Sequence, residues 1–502
     1  MKQKSMIKRN PTRRIRLAAL LLLLLFATLG HTQAIYEDER YVPETDPLVL
    51  EKLDQWQDIK FGLLMHWGTY SQWGIIESWS ICPEEYGWCE RIKGEHPENY
   101  FAYKKEYEGL QTTFNPVKFD PEKWAKAAKN AGMKYVVFTT KHHDGFSMFD
   151  TKYTDYKITD SKTPFSTHPK ANITKEIFDA FRKQGLWAGA YFSKPDWNVD
   201  SYWDPYYPPR DRNVNYSPEE NSEKWQEFTN FTHNQILELL TDYGKVDILW
   251  LDGGWVAKTP KSEITSWYDA QLKDNESGYL KNRIVNQDIK MDELVEKARQ
   301  KQPGLIVVDR AVHGKNQNYL TPENRVPEKP LPFPWESCII AGGGWSYTPN
   351  AKYMSGREAV HTLVDIVAKG GNLLLNIAPS PDGEWDPGAY QLLEEIGSWM
   401  KVNDEAIYGT KAMAPYKYEN ICVTSKPDGT VYLIYLTEEG QTELPSELYF
   451  EGYVPEKGTR ATVLGTNNSL KWNKNGNGIN IKIPNSVKSN LLKKSAFVIK
   501  FK

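Results

Sequence analysis

The sequence predicts an α/β protein: a (β/α)8-like barrel followed by a C-terminal antiparallel β-sandwich. Three observations predict it. Between about Leu53 and Met400, short apolar runs alternate with amphipathic helical segments, the pattern of a parallel sheet wrapped by helices. That stretch, roughly 350 residues long, suits a closed barrel better than an open sheet. After about Tyr408 the pattern shifts to short strands separated by Gly, Asn, Pro and Lys turns.

Residues 1–34 combine a basic stretch to Arg16, an apolar stretch from Leu17 to Leu29, and small residues at Thr32 and Ala34. This is the pattern of a secretory signal peptide cleaved after Ala34, with an apolar core too short to span a bilayer. The expectation is an exported protein, periplasmic or extracellular, with no membrane span. Residues 35–407 are then the barrel. Its visible strands are Phe61–His66, Tyr135–Thr140, Leu186–Ser193, Val246–Leu251, Leu305–Asp309 and Asn372–Ile377. Six are visible, so closure is inferred.

Punctuation supports the helices between them. Asp120-Pro121 opens one that Gly132 ends, since Asp caps the first N–H groups and Pro fits the first turn. Ser217-Pro218-Glu219-Glu220 is a capping box for a helix reaching Tyr243, and Arg357–Lys369 is closed by Gly370-Gly371. Val256–Met291 is polar and is expected to be an elaborated loop. Residues 408–502 form the sandwich, with strands at Val431–Leu436, Glu447–Phe450, Ala461–Leu464, Ile479–Ile483 and Ala496–Phe501.

Composition excludes several functions. The 502 residues carry a net charge of −3, and the first 34 contain seven bases and no acid, so the remainder stands at −10. An acidic body lacks the basic face a nucleic acid needs. No glycine-rich phosphate loop follows the first strand, which argues against a nucleotide fold. Eighteen Trp and 29 Tyr supply flat rings of the kind that stack on sugar C–H faces, although most must be core. Cys82 and Cys89 are spaced for a local disulfide; four buried thiols (with Cys338 and Cys422) is the alternative.

In such a barrel the C-terminal ends of the strands converge on the site. Those ends carry His66, His142-His143, Tyr191, Trp250, Asp252 and Arg310. Period-two alternation puts Asp252 on the face of Trp250 and Ile248, and Gly253-Gly254 after it suit a nucleophile with room for substrate. The plain alternative is an Asp that turns the chain. His142 and His143 are adjacent, so on a strand they point to opposite faces, unlike the His-x-His of barrel metallohydrolases. They suit separate sugar hydrogen bonds better than a metal, and no metal or cofactor is expected. Glu336, beside Trp335, could be desolvated into a general acid. Glu323, in Thr321-Pro322-Glu323-Asn324, and Glu77, in Ile76-Glu77-Ser78-Trp79, compete for that role, and local chemistry does not separate the three.

Several segments together resemble the α-L-fucosidases of glycoside hydrolase family 29. They are Phe61-Gly62-Leu63-Leu64-Met65-His66-Trp67-Gly68-Thr69-Tyr70-Ser71, Thr140-Lys141-His142-His143-Asp144-Gly145-Phe146, Leu249-Trp250-Leu251-Asp252-Gly253, Pro334-Trp335-Glu336, Gly344-Trp345-Ser346-Tyr347 and Gly371-Asn372-Leu373-Leu374-Leu375-Asn376-Ile377. The resemblance implies a retaining exo-glycosidase that removes terminal α-L-fucose from fucosylated oligosaccharides or glycoconjugates through a covalent fucosyl-enzyme. Asp252 matches the nucleophile, and Glu336 is the candidate acid and then base, with Glu323 and Glu77 in reserve. His66, His142 and His143 match fucose-binding positions, and Glu77, Trp79, Tyr191, Trp250, Arg310 and Trp345 resemble further pocket residues. Glu77-Ser78-Trp79 departs from the family by inserting a residue between Glu and Trp. The competing readings are a barrel that binds fucosylated glycans without cleaving them, and a metal-dependent hydrolase built on His142-His143. Linkage preference is assigned to the loops Tyr202–Tyr216 and Val256–Met291.

Overall fold

A computed structural model describes residues 41–274, 283–466 and 468–502. The signal-peptide segment lies outside them. Seven parallel strands form the first sheet: β1 (Phe61–Met65), β2 (Tyr135–Lys141), β3 (Trp187–Ser193), β4 (Ile248–Asp252), β5 (Ile306–Asp309), β6 (Glu336–Ile340) and β7 (Asn372–Asn376). Their order is β5-β4-β3-β2-β1-β7-β6. The six expected strands are present, each within two residues at its ends. The seventh, β6, was not among the strands expected from the sequence.

An irregular segment spans the gap between the edge strands β5 and β6. Val308 bridges Gln317, while Leu320 bridges Trp335 and Glu323 bridges Cys338. Backbone bonds from Glu336 N to Leu320 O and from Cys338 N to Pro322 O complete the join. The tract from Gln317 to Glu323 thus satisfies the edges that an open sheet would expose. It matters because it carries Glu323 upward beside β6.

Strand alternation divides the apolar residues into two layers. Leu64, Val137, Tyr191, Ile248, Trp250, Ile306, Val308, Cys338 and Leu374 point inward and pack with Trp56 and Tyr319. Trp56 and Tyr319 stack 4.0 Å apart. The alternate positions, among them Leu63, Val136, Ala188, Leu249, Val307 and Leu373, face the helices. Each large apolar side chain so buried contributes about 1.5–3 kcal/mol. Gly62 is required on β1, since a Cβ there would lie 2.3 Å from the Tyr135 ring.

The helices follow their punctuation with one shift. Pro121–Asn130 is capped by Asp120 as expected. The Ser217 tract forms turns, and the helix itself begins later and runs Ser222–Asp242. Gly356–Ala368 carries a true capping box from Ser355 and Glu358. Val256–Met291 is not all loop, because Lys261–Asp274 is helical.

The C-terminal sheet has eight antiparallel strands in the order β11-β14-β13-β12-β15-β10-β9-β8. All five expected strands are there, as β10 (Val431–Leu436), β11 (Glu447–Glu451), β12 (Ala461–Val463), β14 (Gly478–Lys482) and β15 (Ala496–Phe501). The additional three are β8 (Lys411–Tyr418), β9 (Ile421–Ser425) and β13 (Ser469–Asn475). One face packs on the barrel helices: Cys422, Ile434, Leu436 and Val498 join the barrel's outer core. The other face closes over its own core around Val423, Leu433, Phe450 and Ile481. Among the described residues, no helix is long and apolar enough to cross a membrane.

Candidate active site

A cavity of about 820 Å³ opens at the C-terminal ends of the barrel strands. Of the residues singled out from sequence, His66, Glu77, Trp79, His142, Tyr191, Trp250, Asp252, Arg310 and Trp345 line it. His143 lies just behind, its Nε2 3.9 Å from the Asp252 carboxylate.

Asp252 is the last residue of β4, on the inward face with Trp250. Tyr191 Oη donates to its Oδ2 at 2.8 Å, and Arg310 Nη1 donates to its Oδ1 at 3.1 Å. Burial alone would push this carboxyl up, but the Arg310 charge, with help from His143 and Tyr191, holds it well below the usual carboxylate range. His143 is itself kept neutral by burial, down at about 3, so the guanidinium is the cation that counts. Asp252 is an anion at any working pH. The two glycines after it serve packing: a Cβ on Gly253 (φ +85) would meet Pro195 at 2.3 Å, and one on Gly254 would meet Ala311 at 2.8 Å.

Arg310 also donates through Nη2 to Glu323. One guanidinium therefore spans two carboxylates. Trp345 Nε1 holds the other Glu323 oxygen at 3.2 Å. Glu323 is partly exposed, near the mouth, whereas Glu77 is buried deeper. Burial pushes Glu77 up to about 8, and its Oε1 has no partner. The inserted Ser78 is accommodated by a positive φ of 31° at Glu77, and Ser78 Oγ pairs with His142 Nδ1 at 2.6 Å.

Glu336 is where the expectation and the structure part. It is the first residue of β6, at the opposite end of the strand from the cavity, and does not line it. Tyr135 Oη donates to it at 2.5 Å, and burial pushes it up to about 7. Its aromatic surroundings do desolvate it, but on the barrel floor.

Two histidines, His66 and His142, line the cavity, and His143 stands behind them. Asn376 Nδ2 donates to Trp345 O at 2.8 Å, so its Oδ1 faces His66 Nδ1 and accepts from it at 3.0 Å. That leaves His66 Nε2 as an acceptor. Burial keeps His66 neutral, at about 4. Both ring nitrogens of His143 are buried without a partner, boxed by Trp79, Trp197 and Trp255 at 5.1 Å each. Since β2 ends at Lys141, strand alternation no longer governs the pair, and the two rings lie 4.2 Å apart.

His142, His143 and Asp252 offer ligand atoms within 4.8 Å of one another. A cation there would meet the Arg310 charge on the same carboxylate, which opposes metal binding. Cys82 and Cys89 are buried free thiols.

Sequence reading missed Asn376 and Arg212. Asn376 ends β7 and was available to the same strand-end rule that found Asp252. Arg212 comes from an irregular loop with no periodicity to mark it; its guanidinium lies 4.8 Å from Trp79 and 5.1 Å from Trp255.

A barrel whose strand ends gather an ionised carboxylate, two further carboxyls, neutral histidines and tryptophan faces around a cavity defines a glycoside hydrolase. The family model described as alpha-L-fucosidase matches residues 28–405, and the chain belongs to that family. Tissue alpha-L-fucosidase of Homo sapiens is 28% identical over 98% of this chain and 99% of its own length. Alpha-L-fucosidase of Branchiostoma floridae is 29% identical, over 92% and 96%. Among solved structures, alpha-L-fucosidase isoenzyme 1 from Paenibacillus thiaminolyticus has a TM-score of 0.69 at 28% identity, covering 91% of this chain and 99% of that one. The Thermotoga maritima alpha-fucosidase in complex with fucose has a TM-score of 0.67 at 26% identity, over 92% and 100%. The barrel that binds without cleaving is therefore set aside: the chain is an α-L-fucosidase-type glycoside hydrolase.

Proposed function

We propose that this enzyme hydrolyses terminal α-L-fucose with retention, Asp252 acting as nucleophile and Glu323 as acid and then base. One observation carries the reading: a single guanidinium, Arg310, holds both carboxylates side by side across the cavity. A separation one guanidinium wide suits double displacement, where the carboxyls stand roughly 5–5.5 Å apart, better than inversion, which needs room for water between them.

In the first step Asp252 Oδ attacks C1 of fucose as the glycosidic bond breaks, and the departing oxygen takes the Glu323 proton. The aglycone leaves toward solvent, so the acid belongs near the mouth, where Glu323 is and Glu77 is not. Esterification removes the Asp252 charge. Arg310 then serves Glu323 alone, the arrangement a base that accepts a proton from water requires. His66, His142 and His143, all neutral, hydrogen-bond the fucose hydroxyls, and Glu77, protonated below about pH 8, donates to one. Trp79, Tyr191, Trp250 and Trp345 supply apolar faces, one of them for the C6 methyl. The substrate is a fucosylated oligosaccharide or glycoconjugate, and the basic and apolar pattern of residues 1–34 supports an exported enzyme.

Asp252→Gly should lower turnover of an aryl α-L-fucoside by about 1,000-fold or more, with azide restoring reaction to give the β-fucosyl azide. Activity close to wild type would remove Asp252 from the role. The raised Glu77 carboxyl favours a second reading in which it is the acid. Glu323→Ala and Glu77→Ala separate them: loss of the acid hurts glycans far more than fucosides with good leaving groups, and azide then yields the α-fucosyl azide.

A further inference from the structure

Histidines and carboxyls line the buried part of the cavity, and its exposed lining includes two large apolar side chains. Glu77 is 2% exposed, while its neighbour Ile76 is 47% exposed and also lines the cavity. Exposed apolar surface therefore begins one residue from the buried Glu77 carboxyl. Trp88 is the other, 45% exposed, whereas Trp67, Trp124, Trp197, Trp250, Trp335 and Trp385 are fully buried.

Trp88 is held as a platform. One face of its indole stacks on Tyr86 at 4.5 Å and 6°. Tyr86 lies 5.9 Å from the Arg212 guanidinium, whose inner side meets Trp79 and Trp255. Glu84 fixes that guanidinium with bonds of 2.9 Å and 3.0 Å to Nε and 2.5 Å to Nη2. The Glu84 fork neutralises Arg212, so what the stack offers outward is ring surface. Cys89, the next residue, is buried and anchors the turn. One indole face is thus covered by Tyr86, and Trp88 contributes exposed ring surface to the cavity lining.

We propose that Trp88, backed by Tyr86 and sharing the cavity lining with Ile76, is the aglycone subsite, and that it takes the C–H face of the pyranose ring joined to fucose. A rigid ring loses little entropy on binding and matches the apolar face of a sugar. The proposal rests on the reading of the inner cavity as the α-L-fucose site. It assigns aglycone recognition to the loop around Trp88, a segment additional to the two loops favoured from sequence.

The test compares two substrates that share fucose. α-L-Fucosyl fluoride has no aglycone ring; the other substrate is the fastest of a set of trisaccharides bearing α1,2-, α1,3-, α1,4- or α1,6-linked fucose. In Trp88→Ala the ratio of kcat/KM on the trisaccharide to kcat/KM on the fluoride should fall about tenfold, mainly through KM. Trp88→Phe, which keeps a ring, should recover most of it. A ratio unchanged within about twofold in Trp88→Ala, or Trp88→Phe as poor as Trp88→Ala, overturns the platform. If Trp88→Ala does not fold, Trp88→Leu reads the same ratio. Wild-type enzyme inert toward the fluoride would instead overturn the underlying fucosidase reading.

Discussion

At the scale of single residues, one guanidinium and one aromatic floor organise the site. Arg310 Cζ lies 5.1 Å over Trp250, and Tyr191 stacks on the same indole at 5.2 Å, so both donors to Asp252 rest on Trp250. Trp250 in turn faces the Glu336 carboxyl, with Tyr135 and Tyr319. Glu336 therefore supports the pocket from below without reaching the substrate. Glu336→Gln keeps an acceptor for Tyr135 and should leave kcat/KM on a fucosylated glycan within about tenfold of wild type. A loss of about 1,000-fold there would return Glu336 to the role of acid. Glu336→Ala should cost about 2–4 kcal/mol in urea unfolding, because it leaves a void and an orphaned Tyr135 hydroxyl.

At the scale of elements, buried ion pairs fix the loops that leave the strands. Just past the end of β3, Lys194 Nζ sits 2.5 Å from Asp309 at the end of β5, both side chains almost wholly buried. Lys141, ending β2, pairs with Asp196 at 2.9 Å, and Asp196 also accepts from the backbone of Asn198 and Val199. These pairs tie β2, β3 and β5 together around β4, which carries Asp252. Lys194→Met would leave Asp309 buried without its cation, and should destabilise the fold by about 3–5 kcal/mol. The double variant Lys194→Met/Asp309→Leu should recover more than half of that, measured by chemical denaturation. No recovery would show that the pair does not act as a unit. The strands themselves were legible because their alternation is regular. β6 was not, since a proline-rich approach conceals its start and only Ile339 and Ile340, its last two residues, continue an apolar run after Cys338. The tract from Gln317 to Glu323 has no strand period at all, which is why Glu323 resembled a turn residue.

At the scale of the whole molecule, buried acids and histidines set the pH range. Burial pushes Glu77 up to about 8, and Glu336 and Asp144 up to about 7. The native chain keeps these protons, whereas the unfolded chain releases them above its ordinary values of 4.5 for Glu and 3.8 for Asp. Stability therefore falls as pH rises through this window. Burial lowers His66 to about 4 and His143 to about 3, and His142 falls in the same direction. The unfolded chain protonates these below 6.5, so their contribution is lost as pH falls. The two sets oppose each other between 4.5 and 6.5; above that the acids dominate, opposed by the last of the histidine titration and by Lys60, which burial lowers to about 8. Unfolding free energy should thus drop by roughly 1–2 kcal/mol from pH 6.5 to 8. A rise over the same interval would contradict the buried, protonated state of these carboxyls.

The sequence by itself determined the architecture, the cavity end of the barrel and most of the groups around Asp252. Those follow from local rules: strand alternation sets which face a residue takes, and parallel strands present their C-terminal ends together. What only the tertiary structure decided was where the three candidate carboxyls stand: Glu323 and Glu77 in the cavity lining, Glu336 at the other end of β6. Glu336, Glu323 and Glu77 are equally plausible in one dimension, because each has an aromatic or turn neighbour. Their separation depends on where β6 begins and on how an irregular tract rises beside it. That is a matter of strand register and long-range backbone pairing between residues such as Glu323 and Cys338, which no local pattern encodes.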